Sequence, residues 1–209
     1  MSDVKAAEMT SVWSGGVSPY AVDSKKFGMW LFIISDALTF TAMLIAYTYV
    51  RLATPEWPTP FHFFPSIVFS SIMTFCLLSS SLTMVMAVHS MSHGNRKATV
   101  GWLLGTMAGG LAFVILHATE WRNLIVNEHM TPLGNEWGEP LFGGTFFALT
   151  GLHMTHVVLG LIYLGVITIA VARGKFKAID VEVAGLYWHF VDLVWMFIFP
   201  MVYLLSAKL

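Results

Sequence analysis

Apolar residues run along this chain in five blocks, at residues 27–49, 65–89, 98–119, 141–172 and 183–207. Crossing a hydrocarbon layer of about 30 Å takes roughly 20 helical residues, so each block is long enough to span it. The fourth is longer than it needs to be and is expected to tilt or project. No block repeats another. Short polar stretches separate them. Three prolines within Thr54–Pro60 cannot continue a helix and predict a rigid turn. Phe61, His62, Phe63 and Phe64 follow as an expected aromatic belt at the interface. The later connections are His93–Lys97, Trp121–Pro140 (with Glu128, Glu136 and Glu139) and the basic Arg173–Lys177. The pattern predicts an all-α integral membrane protein: a polar tail over 1–24, then a five-transmembrane-helix bundle over 25–209.

Composition agrees. Of 209 residues, 56% are apolar and 11% charged, with a mean hydropathy of +0.71; a soluble domain is nearer a quarter charged. A net charge of −1 gives no sign of a nucleic-acid surface. Cys76 is the single cysteine, so no disulfide or cysteine cluster forms within the chain. The polar start, with Gly15, Gly16 and Pro19, does not read as a cleaved signal peptide. Orientation follows from the eleven Lys and Arg residues. Eight (Lys5, Lys25, Lys26, Arg96, Lys97, Arg173, Lys175, Lys177) share one side, while Arg51, Arg122 and Lys208 take the other. The positive-inside rule puts the N-terminus in the cytoplasm and the C-terminus in the periplasm. Gly101, Gly105 and Gly109, with Ser66 and Ser70, make small-residue stripes expected to join helices of the bundle.

Few ionisable groups lie within the blocks. Asp36 stands in the first, His117 and Glu120 close the third, His153 and His156 lie in the fourth, and His189 and Asp192 in the fifth. Residues three apart share a helix face, so each of these pairs can touch. A charge in hydrocarbon costs at least a few kcal/mol and must face protein, water or a partner. Bundle di-iron sites use Glu-x-x-His with further carboxylates; here the order is reversed, carboxylates are too few and the pairs differ in depth. The expectation is therefore no metal and no cofactor in this chain, with His117, Glu120, His153, His156, His189 and Asp192 forming an internal polar lock. Asp36 reads either as a proton-active carboxylate or as one bonded to Ser35, Thr39 or a neighbouring helix. Arg96 and Lys97 set topology or meet lipid phosphate. Trp188, Trp195, Phe146 and Phe147 are expected to pack or to touch lipid.

Five stretches carry a family likeness: Phe32-Ile-Ile-Ser-Asp36, His89-Ser-Met-Ser-His-Gly-Asn-Arg-Lys97, His117-Ala-Thr-Glu-Trp121, the run from Gly144 to Gly160 through His153 and His156, and Leu186-Tyr-Trp-His-Phe-Val-Asp-Leu-Val-Trp195. Together and in this order they resemble subunit III of the haem-copper terminal oxidases, in the five-helix bacterial form. The resemblance implies a chain with no catalytic residue of its own, packed on subunit I and near subunit II, with haem and copper in those partners. It implies bound phospholipid, with Arg96, Lys97, Trp188 and His189 as head-group candidates. It also implies support of proton uptake and of enzyme lifetime, with Asp36 as the proton-uptake or lipid-facing carboxylate. The complex would sit in a bacterial plasma membrane and reduce oxygen with electrons from cytochrome c. Asp36 and His117 depart from the cytochrome c branch towards the quinol oxidases, so a quinol-oxidase subunit III is the alternative. From another class, a stand-alone membrane metalloenzyme or a transporter would fit five helices with buried polar groups.

Overall fold

The computed structural model describes residues 23–132 and 140–208. The expected polar tail, with Lys5, and the loop acids Glu136 and Glu139 lie outside the described residues, as do the side chains of His62, Phe63 and Lys208. Five α-helices account for most of the rest: α1 Ser24–Ala53, α2 Val68–Ser92, α3 Arg96–Val126, α4 Pro140–Ala172 and α5 Ala178–Ile198. All five, with the turns that extend α2 and α5, are long and apolar enough to cross a membrane.

Local chemistry sets the helix ends. Asp23 caps α1 by accepting from the Lys25 N–H at 2.9 Å, and Asn95 caps α3 by accepting from the Ala98 N–H at 3.1 Å. The tight turns after α2 and α4 share one design. Gly94 (φ +75°) and Gly174 (φ +71°) take the left-handed conformation. The amides of Gly94 and Asn95 return to the carbonyls of Met91 and Ser90, and those of Gly174 and Lys175 to Val171 and Ala170. Proline interrupts the start of α2 and the end of α5. At Pro65 the backbone kinks, with Phe64 extended (φ −122°, ψ 128°), and near Pro200 the ladder widens into a π-helical turn, Phe199–Tyr203 after α5. A short 3-10 turn, Leu204–Ser206, then leads into a two-residue strand β2 (Ala207–Lys208), which pairs in parallel with β1 (Phe61–His62).

Helix α5 is the axis of the bundle: it packs on α1, α2 and α4. The α2–α3 hairpin forms the most extensive contact, and α3 also packs on α4. The backbones of α3 and α5 stay apart, and two indoles fill the gap. Trp188 lies in a slot between Gly110 of α3 and Gly160 of α4, where an added Cβ would come within 2.5 Å and 3.0 Å of the ring. Trp195 meets the edge of Phe113, with centroids 4.9 Å apart. Helix α1 is peripheral. It buries only Ile33, Phe40 and Tyr47, seven residues apart, as a narrow seam against α4 and α5. Elsewhere large apolar side chains face outward, among them Leu38, Ile45, Phe75, Leu82, Ile162 and Leu193.

The small-residue stripe on α3 serves the α2–α3 hairpin. Gly105 faces Thr83, and Gly109 faces Ser80 and the Cys76 carbonyl, whereas Gly101 has open space before it. The expected aromatic belt divides. Phe64 is exposed, but Phe61 is buried and stacks on Tyr203 at 4.9 Å, because β1 pairing turns it inward.

Candidate functional site

Asp36 finds its partner on another helix. Its Oδ2 lies 2.8 Å from His156 Nε2 of α4, and both side chains keep a little exposure. The neighbours on its own helix are engaged elsewhere: Ser35 donates to the Phe32 carbonyl and Thr39 to that of Ser35. Helix α4 fixes the imidazole from behind. Nδ1 sits 2.8 Å from the Leu152 carbonyl, which can only accept, so Nδ1 carries a hydrogen. Phe40 packs edge-on against the ring at 5.2 Å, and Tyr187 donates to the His156 carbonyl at 3.0 Å. The Asp36 oxygen lies off the line of a ring N–H, so the contact is a close electrostatic approach rather than an aligned hydrogen bond. At that distance a carboxyl oxygen and a ring nitrogen are close enough to pass a proton from one to the other.

From this pair a line of polar groups runs inward. His153, three residues before His156, is fully buried and stacks on Trp195 at 5.0 Å. His117 stacks on Phe113 at 5.5 Å and meets the edge of Trp195 at 5.4 Å. Neither ring makes a hydrogen bond with its nitrogens. His117 Nδ1 is 3.9 Å from Glu120 Oε2, too far for a direct bond. Glu120 reaches other elements instead: Ser70 of α2 at 2.6 Å and the Tyr203 hydroxyl at 2.8 Å. His189 approaches Ser81 of α2 at 2.8 Å through Nδ1. Asp192 lies beside the same hydroxyl, and no ion pair joins it to His189.

The polar lock thus differs from the one the spacing suggests. Contacts three apart within a helix are not what ties the bundle together. Hydroxyls and indoles do so across helices: Glu120 to Ser70 and Tyr203, Trp188 Nε1 to Ser80 at 3.0 Å, and Trp195 Nε1 to Thr74 at 2.9 Å. Sequence reasoning passed over Ser80, Ser81, Thr74 and Tyr203. The run Ser79-Ser80-Ser81 within an apolar block is the signal that could have found them.

Two of the head-group candidates lie deeper than the helix ends. Trp188 is 1% exposed inside its glycine slot, and His189 stands about 16 Å along α5, on a cleft it shares with His89, Ser92 and Glu182. Arg96 and Lys97 are exposed at the start of α3, with the Arg96 guanidinium against Gly174 of the α4–α5 turn. Among the described residues no three of His, Cys, Asp and Glu converge as a metal-holding group.

Comparison with known proteins shows the family. Residues 4–207 match the family described as Cytochrome c oxidase subunit III. The chain is 34% identical over 188 residues to cytochrome c oxidase subunit 3 of Alkalihalophilus pseudofirmus, covering 88% of each. It is 34% identical over 202 residues to that of Balaenoptera musculus, covering 92% of this chain and 74% of the relative. To that of Dugong dugon it is 32% identical over 200 residues, covering 91% and 73%. The chain belongs to the cytochrome c oxidase subunit III family.

Proposed function

We propose that this chain is the non-catalytic subunit III of a proton-pumping cytochrome c oxidase that reduces oxygen to water. It packs on subunit I, close to subunit II, and those partners hold the haem and copper and receive electrons from cytochrome c. It lies in a bacterial plasma membrane with its N-terminus in the cytoplasm, an orientation supported by the eight-to-three division of Lys and Arg. At the inner rim Arg96 and Lys97 meet lipid phosphate.

The observation that carries the reading is the Asp36–His156 pair. A carboxyl and an imidazole in contact can pass a proton between them with no change in the net charge of the pair, which lowers the cost of holding a proton-active group in hydrocarbon. Phe40 and Tyr187 hold the imidazole, so the exchanging atoms are kept in place while their edge stays accessible. Such a pair supplies protons to a neighbouring subunit and performs no redox step itself.

The test is Asp36→Asn in the intact oxidase. The initial rate of oxygen consumption stays close to wild type, while proton uptake slows or inactivation during turnover accelerates. Identical activity-decay curves and identical uptake kinetics would overturn the assignment.

A further inference from the structure

Helix α2 ends on two imidazoles. His89 and His93 are both exposed and lie side by side, with ring centroids 4.3 Å apart and planes inclined by 45°. At a spacing of four they share a face of the last helical turn. That turn fixes one of the rings. His93 Nδ1 stands 2.9 Å from the His89 carbonyl, which can only accept, so Nδ1 carries a hydrogen. In the neutral ring the lone pair then belongs to Nε2. The Ser92 hydroxyl donates to the same carbonyl at 2.7 Å and lies 3.2 Å from His93 Nδ1. An imidazole tied to backbone oxygen through one nitrogen, with the other left for a ligand, is the arrangement that metal-binding histidines adopt. His89 enters these contacts through its carbonyl and not through its ring.

The charge around the pair suits a cation. The C-terminal end of α2 is the negative end of its dipole, where the last carbonyls collect. Glu182 of α5 lines the same cleft as His89 and Ser92. The neighbouring cations are engaged or turned away: Lys26 pairs with Glu182, the Arg96 guanidinium lies against Gly174, and Lys97 is exposed on α3. Nitrogen donors then select the ion, because imidazole suits zinc, copper and nickel, whereas Mg²⁺ and Ca²⁺ take oxygen ligands. We propose that His89 and His93 form a surface site for a divalent transition-metal ion such as Zn²⁺, with water completing the coordination shell. Bound there, the ion closes the last turn of α2 as a chelate. Structural zinc sites use four protein ligands and catalytic ones three. Two ligands therefore make an exchangeable site, filled according to the free metal concentration. Among the described residues no third His, Cys, Asp or Glu joins the pair as a metal-holding group.

This site goes beyond the oxidase reading and is tested apart from it. The intact complex is dialysed against micromolar Zn²⁺ with millimolar Mg²⁺ present, and bound zinc is counted by elemental analysis. The wild-type complex is expected to bind one zinc ion more than His89→Gln or His93→Gln. The double variant loses no more than either single one, because a lone imidazole does not chelate. Equal zinc in wild type and variants would overturn the proposal, as would loss on changing only one of the two histidines, or zinc that Mg²⁺ displaces. Wild type alone gives a second reading. X-ray absorption at the zinc edge should show imidazole nitrogens at about 2.0–2.1 Å; a shell of oxygen alone would exclude the histidine pair.

Discussion

Asp36 and His156 meet across two helices, so stranding one of them is worse than removing both. His156→Leu leaves the carboxyl facing hydrocarbon unmet, a penalty of about 1–3 kcal/mol. Asp36→Leu/His156→Leu costs less than the two single changes together, because no polar group is stranded. A double-mutant cycle of detergent unfolding checks this: additive losses would mean the 2.8 Å contact carries no coupling. Sequence alone marks Asp36 as costly, since a carboxylate in an apolar block stands out. It cannot name His156, because the partner lies 120 residues away and proximity follows from helix arrangement rather than spacing. The same holds for Glu120: its spacing to His117 points along its own helix, while its oxygens reach Ser70 and Tyr203.

Among the elements, the packing of α3 on α5 depends on a ring in a slot. Gly110→Ala would place a Cβ about where the Trp188 ring lies and forces the ring or the helices to shift, at about 1–3 kcal/mol. Gly101→Ala meets open space and stays within about 0.5 kcal/mol of wild type. Comparing the two by detergent unfolding, or by subunit retained through purification, separates a glycine needed for close approach from one that is not. Equal behaviour would contradict the slot. The repeating glycines are visible in sequence as small residues, yet Gly110 falls outside their four-residue rhythm. Only the position of Trp188 reveals its role. The five spans themselves are legible because hydrocarbon thickness imposes a minimum length on any helix that crosses it. That α5 is central and α1 peripheral is not, since every block is apolar on all sides.

In the whole molecule, the two ends of the bundle are closed by different chemistry. Where α1 and α5 begin, Lys25 bonds Asp180 at 2.6 Å, and Lys26 bonds Glu182. These pairs are partly exposed and salt-screened, so they add little stability. At the opposite end Ser206 receives the Trp57 indole at 3.0 Å and meets the Tyr47 hydroxyl at 3.0 Å, and Arg51 donates to the Leu205 carbonyl at 2.6 Å. Removing residues 204–209 therefore loosens α1 far more than breaking both lysine ion pairs by Lys25→Ala/Lys26→Ala. Hydrogen exchange at the C-terminal end of α1 in the two variants measures the difference; a larger effect from the lysine changes would refute it.

That closure has a consequence for how the chain is made. Helix α1 is made before the segments it binds: Tyr47 waits for Ser206, 159 residues later, Arg51 for Leu205, 154 residues later, and Asp36 for α4. The α2–α3 hairpin can settle during synthesis because its halves are neighbours in the chain. Newly inserted α1 stays unanchored, with its carboxyl unpaired, until α4 and the segment after α5 have been made. A stall before α4 would leave it in that state, open to whatever membrane chaperone or protease attends unfinished proteins.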